Sequence, residues 1–547
     1  MRGFLRICTA AVSGALLATS AAAQTMPNGV AAGDVTERSV NLWTRTTMPG
    51  RVVFEVSTDP DFTSISNRRV ARAVDALQPV RVRIGRLTAG TQYYYRATDV
   101  AGTQMSGSFR TPHALGAFAG LRFGVSGDAR GDNAPYYSAT NVASRDLDFV
   151  VNLGDTVYCD IESPILPGVQ QAVTLEEFRL KNSEIYSATD GVNSLADARA
   201  STVFFATIDD HEVTNDFSGG ADPLSDPRFD PTGAYINETN LYANGLRAFQ
   251  EYNPIRDEYY GDTGDARTAD KRKLYRYRTF GSDAAILVLD ARSFRDPGLV
   301  AANVLDPADV TRFLIESFDA SRTMLGRAQI DELKADLDAA QDAGVTWKFV
   351  FVPEPIQNLG PLAASDRFEG YAAERTEILR HVHDNGITNV VFVAADIHGT
   401  LVNNLTFQDF VGFPQVATTA FEITTGPWAF DAPFGPTVVE IAFALGLLDP
   451  ATKAIYDASP VAVKEAILAG LVDAQVGAFG YDLLGLSGSP VQATLLSGGW
   501  SATHTYGWTE FEIDATTQEL LVTTYGVTPG DPLSTPAVQS QFVVTPQ

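Results

Sequence analysis

The chain of 547 residues is too long for a single hydrophobic core. Its content of 45% apolar and 19% charged residues is that of a folded globular protein and excludes a disordered one. A formal net charge of −26 excludes nucleic acid as a stable partner, because a phosphate backbone needs a Lys/Arg surface, and it is compatible with cations held at carboxylate clusters.

Residues 1–23 read as a signal peptide: Arg2 and Arg6, an apolar run from Ile7 to Leu17, and Ala21-Ala22-Ala23 before Gln24. That run is too short to span a bilayer, and no later stretch has a spanning length, so no integral membrane segment is expected. The expected location is periplasmic or secreted. Adjacent arginines are absent, which fits a general export route rather than a twin-arginine one. Cys8 falls inside the signal, so the mature chain keeps only Cys159 and has no internal disulfide.

Residues 24–113 form a first domain with an all-β pattern. Ser39 to Arg45, Arg51 to Ser57, Val80 to Ile84 and Tyr93 to Ala97 read as strands. The stretch from Leu87 to Arg96 resembles the tyrosine corner of a sandwich. A β-rich extension of the main domain is the other reading. Thr111-Pro112-His113-Ala114 reads as a linker.

From Leu121 onward strands alternate with helical patterns, the mark of an α/β sheet. Four apolar strands each end in Asp: Phe123 to Asp128, Leu147 to Asp155, Val203 to Asp210 and Val390 to Asp396. Such strand ends are where open α/β sheets place ligands and chemistry. Helices are expected over 180–193, 244–252, 326–342 and 371–385, and surface loops over 216–240 and 255–270. Two more strands, from Ala285 and from Trp347, end near Arg292 and Glu354. Residues 430–499 read as a helical insertion, a lid or partner surface in principle, with a plain structural role as the expectation. Closing strands follow from Gly507 and Leu520.

Asp, Asn and Tyr oxygens with His nitrogen are ligands for hard or borderline cations. Asp155, central in the series, is the candidate bridge between two cations. Asp128 and Tyr158 are assigned to one, Asp210 or Asn215 to the other, and Asp396 and His398 converge on the pair. His211 is placed to act as proton donor in catalysis. Arg292 and Arg295 offer bidentate grips for phosphate oxygens. His504 is a candidate for the rim of the substrate site, His381 and His383 read as structural or solvated, and Cys159 reads as a buried free thiol, with metal ligation as the other reading.

Gly127-Asp128, Gly154-Asp155-Thr156-Val157-Tyr158, Asp209-Asp210-His211-Glu212 and Asp396-Ile397-His398 together resemble the calcineurin-like metallophosphoesterases, and within them the alkaline phosphatase D (PhoD-like) family. Gly29 to Asp34, Leu42 to Arg45, Asp290 to Arg295 and Arg322 to Gly326 agree with the same family. The resemblance implies an α/β (α+β) metallophosphoesterase core of mixed sheets flanked by helices over 114–547, with an N-terminal all-β, fibronectin-like sandwich. It implies a secreted hydrolase of small phosphate esters that uses a metal-activated hydroxide, with Fe(III) and Ca(II) as the ions. Where the family often carries Ser-Cys-Gln after the first core strand, this chain has Ser126-Gly127-Asp128, closer to the Gly-Asp start of purple acid phosphatases. The rival reading is a metal- or glycan-binding protein on a decayed scaffold of the same kind.

Overall fold

A computed structural model describes residues 25–547, and the expected signal peptide with Cys8 lies outside the described residues. The N-terminal part supplies β1 (Val30–Thr36), β2 (Ser39–Thr44), β3 (Gly50–Ser57), β4 (Asn67–Ala73), β5 (Val80–Gly85), β6 (Gln92–Thr98) and β7 (Gln104–Arg110). The main part adds β8 (Leu121–Ser126), β9 (Phe149–Leu153), β10 (Val203–Thr207), β11 (Arg276–Phe280), β12 (Ala284–Val288), β13 (Trp347–Phe351), β14 (Val390–Ala394), β15 (Thr400–Phe407) and β16 (Val416–Thr424). It closes with β17 (Ala493–Ser497), β18 (Ser501–Ala502), β19 (Tyr506–Ile513), β20 (Leu520–Val527) and β21 (Ala537–Val544). The helices are α1 (Leu175–Ile185), α2 (Ser194–Ser201), α3 (Asn240–Tyr252), α4 (Pro307–Glu316), α5 (Arg327–Asp342), α6 (Ala372–Asp384), α7 (Phe434–Ala444), α8 (Pro450–Ala458) and α9 (Val461–Ala478).

Three sheets result. The first runs β17-β21-β20-β19-β8-β9-β10-β1-β2-β5, the second β11-β12-β13-β14-β16-β15-β18, and the third β4-β3-β6-β7. Every residue of β9, β10, β12, β13 and β14 is buried. Their near-continuous apolar runs reflect cover on both faces. The two large sheets face each other across a core rich in phenylalanine. There Phe123 stacks on Phe149 at 4.6 Å and on Phe511 at 4.8 Å, and meets Phe349 edge-on at 4.8 Å. Phe178, Leu195 and Phe249 of α1, α2 and α3 cover the outer face of the first sheet. Leu333 of α5 and Leu379 of α6 cover that of the second.

The N-terminal part is all-β, and Thr88 N–H donates to Tyr93 Oη at 2.9 Å, the tie of a tyrosine corner. Its strands divide between two sheets. β1 pairs in parallel with β10 and carries β2 and β5 into the first sheet, while β3, β4, β6 and β7 form the third. Extension of the main domain thus describes three of the seven strands. Gly33 allows this junction, since a Cβ there would lie 2.6 Å from the Phe204 carbonyl oxygen.

The helix expected over 180–193 is the second half of α1, which ends at Ile185, and residues 186–193 are not helical. A capping box of Thr174 and Glu177 starts α1 earlier, and positive φ at Asp190 (51°) and Gly191 (79°) ends any continuation before α2. The sequence reading also missed α4, although Asp306 caps it and Pro307 opens it. The insertion folds around its own small core of Val439, Leu448, Tyr456 and Leu468.

Register brings the strand ends level. Ser126 lies opposite Asn152, and Leu153 opposite Thr207, so the turns carrying Asp128, Asp155 and Asp209 emerge side by side. In the second sheet Val288 pairs with Phe351, and Phe351 with Val393, which aligns the turns after β12, β13 and β14. Two threonines tie the two edges together. Thr207 Oγ1 donates to the Leu289 carbonyl at 2.6 Å, and Thr425 Oγ1 to that of Val125 at 3.0 Å.

Candidate metal centre

At this shared edge the backbone turns through the left-handed region at non-glycine residues. φ is 57° at Asp128, 48° at Asp155, 54° at Asp216, 62° at Asp396 and 58° at His398. Such conformations cost free energy and persist where the surrounding fold over-determines them, and they concentrate at functional sites. Gly154 precedes Asp155 with φ of 80°, and a Cβ there would lie 2.6 Å from Asp209 Cβ. Only glycine lets the β9 and β10 turns approach this closely.

Three groups of side chains each bring ligand atoms within 4.8 Å of one another: Asp128, Asp155 and His398; Asp155, Asp210 and His211; and Asp210, Asp216 and Asp366. Asp155 belongs to the first two and Asp210 to the last two, so the groups form a continuous chain. Tyr158 Oη lies 3.4 Å from His398 Nε2, which lies 3.5 Å from Asp128 Oδ1. Phe430 stacks on the His398 ring at 3.8 Å and reaches the Tyr158 ring at 5.3 Å, which fixes the imidazole plane. Both carboxylate oxygens of Asp128 are buried without a hydrogen-bond partner. A buried carboxylate in that condition is costly unless a countercharge satisfies it. With a second carboxylate, an imidazole and a phenol beside it, the donor set fits a hard or borderline cation.

Carboxylate crowding dominates the electrostatics. Burial, then the charges of Asp210 and Asp209, pushes Asp155 well above the usual carboxylate range. Burial also raises Glu212, to about 7. Glu212 holds the site's backbone: it accepts from the N–H of Asp209 at 2.8 Å, of Thr156 at 2.6 Å and of Asp155 at 3.3 Å. Burial would lower His211, but the carboxylates of Asp210 and Asp160 outweigh it and raise the imidazole to about 9. Asp160 Oδ1 engages His211 Nδ1 at 2.6 Å, which leaves Nε2 directed toward Asp210 Oδ1 at 4.0 Å.

Asp128, Asp155, Tyr158, Asp210, His211 and His398 therefore stand together. Asp396 lies outside the three ligand groups but lines the same cleft as His398, Asp216 and Asp366. Asn215 is exposed at the edge, its N–H donating to Asp160 Oδ2 at 2.7 Å. Two assignments require correction. Arg292 and Arg295 do not present free forks to the cleft, since both are fully buried in an ion network. Arg292 binds Asp209, both oxygens of Asp366 and Glu354, while Arg295 binds Glu354, the Asp366 carbonyl and Tyr371. Their charge neutralises the carboxylates around the site instead of awaiting a substrate. His504 is likewise not at the rim: it is buried, with Nδ1 2.8 Å from Glu465 Oε1 and Nε2 2.8 Å from Tyr456 Oη, and it fastens the insertion to the core. The insertion itself does more than decorate the fold, because α7 and α9 wall the cleft.

The sequence reading missed Glu212, Asp160, Glu354, Asp366 and Phe430. Glu212 and Asp160 sat inside recognised strand-end stretches, where a buried carboxylate beside a His was a usable signal. Asp366 and Phe430 lie in loops whose approach to the site only the fold produces. Cys159 is fully buried in the outer core with Val157, Phe178 and Ala172 and belongs to none of the three ligand groups.

Comparison with known proteins adds family and fold. The model of the PhoD-like phosphatase matches residues 122–440, and that of the PhoD-like phosphatase N-terminal domain matches residues 10–113. Alkaline phosphatase D of Bacillus subtilis (strain 168) is 26% identical over 408 residues, covering 69% of this chain and 65% of that relative's length. A solved structure of PhoD superposes with a TM-score of 0.69 at 19% identity, covering 95% of this chain and 90% of the other, which establishes a shared fold. A purple acid phosphatase from yellow lupin seeds gives a TM-score of 0.49 at 10% identity, covering 94% of this chain and 73% of the other. Among the described residues, no helix is long and apolar enough to cross a membrane.

Proposed function

Because the chain belongs to the PhoD-like phosphatase family, whose model it matches over residues 122–440, we propose that it is a metal-dependent phosphoric ester hydrolase acting on small phosphate esters. The observation that carries this reading is the pair of ligand groups sharing Asp155, one of them containing the unpartnered carboxylate of Asp128. Asp128, Tyr158 and His398 would hold one cation, Asp210 with Asn215 and Asp396 the other, and Asp155 would bridge them. We assign Fe(III) to the phenol-containing shell and Ca(II) to the oxygen-rich one, following the hardness of the donors. When bound, such cations supply Lewis acidity and a nucleophilic water near neutral pH.

The chain's own residues supply positioning and the proton. Protonated His211 turns its Nε2–H toward Asp210 at the ligand groups, within which it would donate to the phosphoryl oxygen or the leaving group. Asp160 fixes the ring through Nδ1. Glu212 pins the turns that present Asp155 and Asp210. Arg292 balances Asp209, Glu354 and Asp366, which holds them in place and, with Arg295, keeps Asp366 below the usual carboxylate range while burial raises Asp209 and Glu354. The signal pattern of residues 1–23 supports a periplasmic or secreted location.

The test is release of p-nitrophenol from mono- and bis-p-nitrophenyl phosphate, with elemental analysis of protein purified without added metal. Turnover that a chelator abolishes and metal restores is expected. Stoichiometric metal without turnover on either ester would favour the binding protein on a decayed scaffold.

A further inference from the structure

The cleft that holds Asp396 and His398 continues, away from the carboxylates, into an apolar chamber. The whole cleft, which Asp216, Asp366, Asp396 and His398 also line, has a volume of about 500 Å³, inside the roughly 300–1,000 Å³ of small-molecule sites. Leu359 and Ile397 of the core line it together with Phe434, Val438 and Ile441 of α7 and Val472 of α9, and Phe434 packs against the cluster of Leu359 and Ile397.

The three α7 residues recur at i, i+4 and i+7, so they form one stripe of that helix. A second set on the same helices, including Val439, Ala442 and Leu468, is spent on the insertion's own core. Phe434 and Val438 also pack against that core and Val472 belongs to it, so Ile441, 38% exposed, is the apolar lining residue of these helices that the insertion's core leaves to the cleft. α7 is anchored at the reaction centre, since Phe434 N–H donates to the His398 carbonyl at 2.9 Å. The one Arg or Lys of the lining, Arg367, is engaged by Glu369 and the Leu362 carbonyl, so the lining offers no free cation for a second phosphate; its uncharged polar side chains are Ser365, Thr437 and Gln475. α8 and α9 lie beyond residue 440, where the match to the family model ends.

We propose that this chamber receives an apolar ester substituent of the substrate, an alkyl or acyl chain, so that the enzyme prefers amphiphilic phosphoesters. The proposal rests on the phosphoesterase reading. A phosphoryl group held at the Asp155 groups lies at the polar end, and a chain attached to it has the α7 stripe as its apolar wall.

The experiment measures kcat/KM for methyl, butyl and hexyl p-nitrophenyl phosphate, which share one leaving group and stay monomeric. Full burial of a methylene corresponds to about fourfold in binding, so a rise of roughly tenfold or more from methyl to butyl is expected. In Ile441→Ser and Val472→Ser the hexyl-to-methyl ratio should fall several-fold, a ratio internal to each variant and insensitive to its folded fraction. A ratio near one across the wild-type series, with every ester hydrolysed, overturns this inference and leaves the phosphoesterase reading standing. A steep wild-type series that both variants retain places the chain elsewhere and also overturns it. No hydrolysis of any ester by metal-loaded protein removes both.

Discussion

Asp128→Asn should stabilise the metal-free protein while destroying its response to metal. The carboxylate is fully buried, neither oxygen has a hydrogen-bond partner, and His398 Nε2 lies 3.5 Å from Oδ1. Asp155 stands in the same ligand group and adds like charge. An uncompensated buried charge costs roughly 3–5 kcal/mol, and a neutral isostere removes most of that cost. In chelator the variant should therefore gain on the order of 3 kcal/mol over wild type. A cation at a hundred times its dissociation constant stabilises wild type by about 2.7 kcal/mol, an increment the variant should lose. The two proteins thus approach one another in metal and separate in chelator. Thermal unfolding followed by circular dichroism at pH 7.5, with and without EDTA, reads both effects, at about 2–4 °C per kcal/mol for a domain of 150–250 residues and less for a longer chain. A variant that is less stable than wild type in EDTA and keeps the full metal-induced shift would refute the assignment of Asp128 as a ligand.

Asp155→Asn should cost at least one metal by elemental analysis and most of the turnover, because Asp155 is shared by two ligand groups. Asp160→Asn should lower the upper pH limb of kcat. Removing the carboxylate bound to His211 Nδ1 lowers an imidazole now held near 9, so the proton donor is lost at lower pH. An unshifted pH–rate profile would separate Asp160 from that role. Cys159→Ser should leave metal content and activity within a few-fold of wild type, since the thiol is buried in the outer core and belongs to none of the ligand groups. Loss of iron in that variant would reopen a thiolate ligand. Lys348 is buried and pushed by burial down to about 8 from 10.5. The stability it contributes is present in full above pH 10.5 and lost as pH falls through 8. The shift is worth roughly 3 kcal/mol. Denaturant midpoints of Lys348→Met relative to wild type should therefore improve as pH drops from 10 to 7, and a pH-independent difference would contradict a neutral buried lysine.

Local chemistry determined a large share of this protein. The apolar runs ending at Asp128, Asp155, Asp210 and Asp396 were legible because a strand covered on both faces needs little but apolar residues, and because a turn at its end needs Gly or Asp. The ligand types at those ends followed from the same short stretches. What the stretches could not contain is which side chains face each other across two sheets. The Arg292 and Arg295 forks looked available in sequence, yet the packing of Asp209, Glu354, Asp366 and Tyr371 around them engages every guanidinium nitrogen. His504 looked like a rim residue beside glycines, yet α8 and α9 close over it with Tyr456 and Glu465. The N-terminal strands read as a unit of their own, and only the tertiary structure sends β1 into the core sheet, because strand pairing is a backbone interaction that side-chain periodicity does not encode. Sequence periodicity records which face of a strand or helix is apolar. Which partner covers that face is settled by long-range packing, and the counter-ions, the cleft wall and the sheet order of this protein were decided there.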